Sequence, residues 1–187
     1  MIRQIEYDKG PVNSKDSTSL FEGANRAAGI MMPLLLILLL LATGLRFYKL
    51  DAQSFWNDEG NSARLSERSL PLIIEGTASD VHPPLYYVLL RGWRELLGDS
   101  EFGLRSFSAF AGVLTVAAII ALARFFFPAS GSRKTVGIIV LVAGLLAAVN
   151  PTLVYYSQET RMYALLALLS SLSTLTLLCW LNAGRRW

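Results

Sequence analysis

The chain has 187 residues, of which 53% are hydrophobic and only 17% charged, with a formal net charge of +3. A soluble domain carries about 25% charged residues, so this deficit, with the apolar residues gathered in long blocks, excludes an ordinary soluble fold and points to a lipid solvent. The basic residues are not clustered on one soluble face, which argues against a nucleic-acid partner, and the single Cys179 rules out an internal disulfide.

Residues 1–26 are polar and mixed in charge, and read as a flexible tail with a short helix starting near Ser19, where Ser19 and Glu22 have capping-box spacing. Residues 27–45 then contain no ionisable side chain. A helix of roughly 20 apolar residues crosses about 30 Å of hydrocarbon. The late start and long apolar block fit a retained signal-anchor better than a cleaved signal peptide. Three further stretches, 106–123, 135–158 and 162–184, are equally free of charge. The expected fold is therefore all-α and integral to the membrane, with about four transmembrane helices over 27–47, 104–125, 135–155 and 162–184.

Between the first two spans, residues 51–105 form a polar interruption too long for a turn. Residues 58–74 are expected to be one helix, with Asn57 as its N-cap and Asp58 and Glu59 in its first turn. After the sequence DVHPP, residues 84–97 predict a second helix with Pro84 in its first turn. That helix is amphipathic and carries Arg91, Arg94 and Glu95, so it is expected along the membrane surface, with Leu85, Leu89 and Trp93 on its lipid or protein side. Asn150-Pro151 is expected to interrupt the third span near its outer end, because proline disfavours helical geometry at the residue before it.

Charge sets the orientation. Lys and Arg collect in short cytoplasmic loops, and the connection holding Arg124, Arg133 and Lys134 contains no acid, while acids outnumber basic residues in 51–105. Loop 51–103 and the link 150–161 are therefore expected outside, and 1–26, 124–134 and the C-terminus in the cytoplasm. Span one alone does not decide, since Lys15 and Arg26 before it are balanced by Arg46 and Lys49 after it.

The two outer segments carry four motifs: FWNDEGNSARLSERSLPLII, DVHPPLYYVLLRGW, GDSEFGLRSFSAFAGVLTV and NPTLVYYSQETRMYAL. In this order, over about residues 30–180, they resemble the N-terminal region of GT-C glycosyltransferases. The likeness is to bacterial relatives of the protein O-mannosyltransferases and lipid A aminoarabinose transferases, the PMT_2 group. That resemblance implies a multi-pass protein of the bacterial plasma membrane with its catalytic loop outside. Its partners would be a polyprenyl-phosphate-sugar donor, a lipid, glycan or protein acceptor, and membrane lipid. The group's members are considerably longer, so the resemblance also implies the N-terminal part of a larger transmembrane module, whose isolated activity depends on the remainder. A flippase for lipid-linked saccharides and a non-catalytic membrane subunit are the alternative readings.

The resemblance further implies that Asp58, just after span one, is the general base that takes the acceptor proton during an inverting transfer. A carboxylate within hydrogen-bond reach of that hydroxyl suits the task. Glu59 is the second catalytic candidate, although about 100° around a helix from Asp58. Asp80 is placed to bind sugar hydroxyls or a cation. His82, the single histidine, matches a lysine of the aminoarabinose transferases that contacts carrier phosphate. Arg105 and Arg161, each at the outer end of a span, offer planar forks of donors for phosphate oxygens. Ordinary snorkelling explains such arginines equally well. Tyr86, with other loop aromatics, is a candidate lining for a carrier groove or a member of an interfacial belt. No His/Cys cluster or cation-loop spacing marks a metal site, and a divalent cation is left as an option. The chain has no glycine-rich nucleotide loop, in keeping with a lipid-linked donor.

Overall fold

The computed structural model describes residues 14–78, 82–127 and 133–184. Every regular element among them is a helix: α1 (Ser14–Phe47), α2 (Asn57–Ser66), α3 (Leu70–Ala78), α4 (Leu85–Leu97), α5 (Glu101–Phe126), α6 (Arg133–Val149), α7 (Pro151–Ser157) and α8 (Tyr163–Gly184). Three are long and apolar enough to cross a membrane, over Ile30–Phe47, Glu101–Phe126 and Tyr163–Ala183. A fourth crossing is made if α6 and α7, bent by 53° at their junction, count as one broken span. The protein is thus an all-α, multi-pass membrane protein. Helix α1 begins at Ser14, so part of the segment read as a flexible tail is helical.

Helix α5 is the hub, packing against α1, α4, α6, α7 and α8. Its inner face is built from small residues, with Ser108, Ala109, Ala111, Gly112 and Thr115 all buried. Small side chains let helices approach closely where no hydrophobic force drives them together. Gly112 shows how closely: a Cβ there would lie 2.0 Å from Ser157 Oγ and 2.8 Å from Arg46 Nε. Large apolar residues such as Leu40, Leu166 and Trp180 are exposed on α1 and α8, as expected of surfaces solvated by lipid tails.

Two prolines set the breaks. Pro151 has no N–H for the carbonyl of Ala147, four residues earlier, and the helix ends before it. Asn150 caps the new helix, its Oδ1 accepting from Leu153 N at 3.0 Å. The freed carbonyls do not stay unpaired. Arg46, at the end of α1, donates to Ala147 O at 3.3 Å and to Ala148 O at 3.1 Å. Arg46 is fully buried. It is therefore a clasp between α1 and the broken span, not the loop charge that its position after an apolar block suggests.

The expected single helix over 58–74 is instead two helices, α2 and α3. Pro71 is the cause: it cannot donate to Glu67 O, and that carbonyl accepts from Arg91 Nη1 of α4 at 3.4 Å. Arg68 O accepts from the same nitrogen. Helix α2 also begins one residue early, with Trp56 at its N-cap and no side-chain capping bond, so Asn57 is the first helical residue and not the cap.

Helix α4 follows Pro84 and has 13 residues, too few to cross. Tyr86, Tyr87 and Leu90 form its buried stripe and meet Ile73, Leu104 and Leu165 in one core. Leu85 and Leu89 are exposed, while Trp93 is half-buried and donates to Gly103 O and Ser106 Oγ of α5. The chain reverses at Gly98, whose φ of +83° favours glycine, and Ser100 caps α5 by accepting from Gly103 N at 3.0 Å.

Candidate functional site

The site forms where three segments converge: the first turn of α2, the second turn of α5, and the link between α7 and α8. Glu59 and Arg105 meet in a bidentate pair, Nε to Oε1 at 2.9 Å and Nη2 to Oε2 at 2.7 Å. Their side chains are 1% and 7% exposed. Glu59 Oε1 also accepts from Thr160 N at 2.7 Å, tying down the link before α8. Arg105 spends its remaining donors on carbonyls of the chain leaving span one: Leu50 at 2.8 Å, Gln53 at 2.7 Å and Ser54 at 3.3 Å. Its guanidinium also lies over the Phe55 ring. A buried charge pair survives desolvation only when its hydrogen bonds are met in this way.

The second pair is more open. Arg161 Nη1 lies 2.9 Å from Asp58 Oδ2, and the Asp58 side chain is 38% exposed. Arg161 is flanked by the Trp56 and Tyr163 rings, and its Nη2 donates to the Tyr163 hydroxyl at 3.3 Å. Burial opposes its charge, but the Tyr163 hydroxyl and Asp58 hold the guanidinium above its ordinary value. Arg161 Nε is buried with no protein acceptor. Of the two adjacent acids, then, both Glu59 oxygens are held by protein donors, and Asp58 is the one reachable from solvent.

Asp58, Glu59, Arg105 and Arg161 are thus brought together. Tyr86 lies beneath them and is 2% exposed. Its hydroxyl is 3.4 Å from Ser108 Oγ, which in turn donates to Arg161 O at 3.2 Å. Burial pushes that hydroxyl well above the ordinary phenol range. The expectation that Tyr86 lines a carrier groove gives way to a core position that supports Arg161. His82 is half-buried just ahead of α4, and Asp80 lies outside the described residues. Among the described residues, no group of three or more His, Cys, Asp and Glu is placed to hold a metal ion.

A family model described as dolichyl-phosphate-mannose-protein mannosyltransferase matches residues 81–187. The chain belongs to this family. No curated protein and no solved structure matches it. Membership in the mannosyltransferase family places the chain among membrane glycosyltransferases, a class that works with a lipid-linked sugar donor and an acceptor. The matched mannosyltransferase region holds His82, Tyr86, Arg105 and Arg161, whereas Asp58 and Glu59 precede it and join the site through their pairs with Arg161 and Arg105.

Sequence reasoning missed two members of this neighbourhood. Arg46 was legible only as a cation after an apolar run. Glu159 lies in the link SQETR and is 8% exposed. Together with Tyr48, Lys49, Trp56, Tyr155 and Gln158 it lines a cleft of about 520 Å³ against the Glu59–Arg105 pair.

Proposed function

We propose that the protein transfers a sugar from a polyprenyl-phosphate donor to an acceptor hydroxyl on the outer face of the membrane, with inversion. Asp58 is the base. The observation that carries this reading is the Asp58–Arg161 pair: an accessible carboxylate beside a guanidinium that keeps a buried nitrogen without a protein acceptor. Asp58 takes the proton of the acceptor hydroxyl as that oxygen attacks the anomeric carbon. The bond between the anomeric carbon and phosphate oxygen breaks, and the phosphate leaves with the electron pair. Arg161, with His82, supplies donors for the charge that develops on the phosphate, the usual work of preorganised polar groups at a reacting centre.

Asp58 lies in the first turn of α2 and pairs with Arg161, so its carboxylate is held in place to orient the acceptor hydroxyl as well as to take its proton. Glu59 and Arg105 position the site rather than touching substrate, because their polar atoms are committed to one another and to the backbone.

Two observations support the outward orientation. Contacts from Glu59 to Arg105 and Thr160 bring 51–60, the start of α5 and 158–161 to one end of the helices, as the charge distribution expects. Burial of Arg46 also removes it from the loop charges after span one, leaving Lys15 and Arg26 to outweigh Lys49. With Cys179 replaced by Ser, a cysteine at the exposed position Asn61 should react with a membrane-impermeant maleimide in intact cells. One at Gly131 should react only after permeabilisation. The reverse pattern would place the site in the cytoplasm and overturn the orientation.

A further inference from the structure

The cleft beside the Glu59–Arg105 pair has a lining that the transfer chemistry leaves unused. Glu159 is nine-tenths buried and forms no ion pair among the described residues. Tyr155 lines the cleft beside it. Trp56 and Tyr155 expose about half of their surfaces, at 47% and 57%. Lys49 stands at the cleft in a left-handed conformation, φ 52°, that a non-glycine residue seldom adopts. Such conformations persist where the surroundings impose them and tend to gather at ligand sites.

Aromatic faces beside a sunken carboxylate suit a ring with apolar C–H faces and hydroxyls at its edge. The carboxylate accepts hydroxyl hydrogens, and the aromatic rings cover the C–H face. A polyprenyl chain has no hydroxyl to donate to Glu159. We infer that this cleft seats a pyranoside unit of one reactant, its ring against Trp56 or Tyr155 and its hydroxyls donating to Glu159. Which reactant supplies that unit rests on the transferase reading above; the binding itself does not require turnover.

The test uses the protein in phosphatidylcholine nanodiscs, free of glycoside detergents, with methyl α-mannopyranoside as the probe in saturation-transfer NMR. The wild-type protein should transfer saturation to the ring protons. Glu159→Gln and Tyr155→Ala should each weaken binding at least about tenfold, since a hydrogen bond to a charged group is worth roughly 1.5–3 kcal/mol. Circular dichroism melting curves establish that both variants are folded. Absence of wild-type saturation transfer would overturn the site. So would unchanged binding in both variants, or occupancy by propylammonium but not by the glycoside. Loss of the glycoside signal on adding a polyprenyl-phosphate sugar names the donor's sugar as occupant, and persistence names the acceptor's; either sustains the cleft as a sugar site. Glycoside binding without transfer would sink the transferase reading and leave the site standing.

Discussion

Replacing Asp58 with Asn is expected to lower sugar transfer at least about a hundredfold while polyprenyl-phosphate binding stays close to wild type. General-base assistance contributes roughly 10²–10⁴-fold. The amide retains the size of the side chain and a carbonyl oxygen for Arg161, whose Nη1 now lies 2.9 Å from the carboxylate. What disappears is a group able to accept the acceptor's proton. His82→Ala should behave differently, weakening engagement of the carrier, because its proposed partner is the phosphate. A turnover assay with purified polyprenyl-phosphate sugar, run beside a binding measurement, separates the two. Near-normal turnover in Asp58→Asn would remove Asp58 from the mechanism.

Glu59→Ala is expected to act on the fold. It leaves Arg105, whose side chain is 7% exposed, without its counter-charge and Thr160 N without its acceptor. Breaking a buried pair from one side costs about 3–5 kcal/mol, whereas removing both partners together often costs far less. The combined Glu59→Met, Arg105→Met variant should therefore be less destabilised than the sum of the two single Met variants. The double variant does not recover fully, because Leu50, Gln53 and Ser54 carbonyls lose their donor. Thermal unfolding of the four proteins in one detergent measures the coupling. Strict additivity would mean that the pair does not hold the loop to α5.

These expectations show which features local sequence carries. Apolar blocks announce the spans because the bilayer imposes a length, and Asn150-Pro151 announces the bend because proline removes a specific donor. Pro71 carries the same signal, yet the helix-start cues at Asn57, Asp58 and Glu59 suggested one continuous helix over 58–74. The break became legible only with Arg91 in place to take the freed Glu67 carbonyl. The same is true of Arg46, whose partners Ala147 and Ala148 lie about a hundred residues away. Glu59 could not be told from Asp58 by sequence, since both sit in a helix first turn. What separates them is long-range: Glu59 meets Arg105 and Thr160, 46 and 101 residues on. Asp58 is left with one partner and open to solvent.

The most direct test of the account follows a radiolabelled polyprenyl-phosphate sugar in sealed vesicles that contain the protein. Lipid-linked donor and cell-envelope acceptors are both supplied at the face exposed to the 51–60 segment. The account predicts label in a new glycosidic product with inverted anomeric configuration, formed by the wild-type protein and lost with Asp58→Asn. Movement of the intact labelled donor across the bilayer, with no glycosidic product, would contradict it and make the protein a flippase.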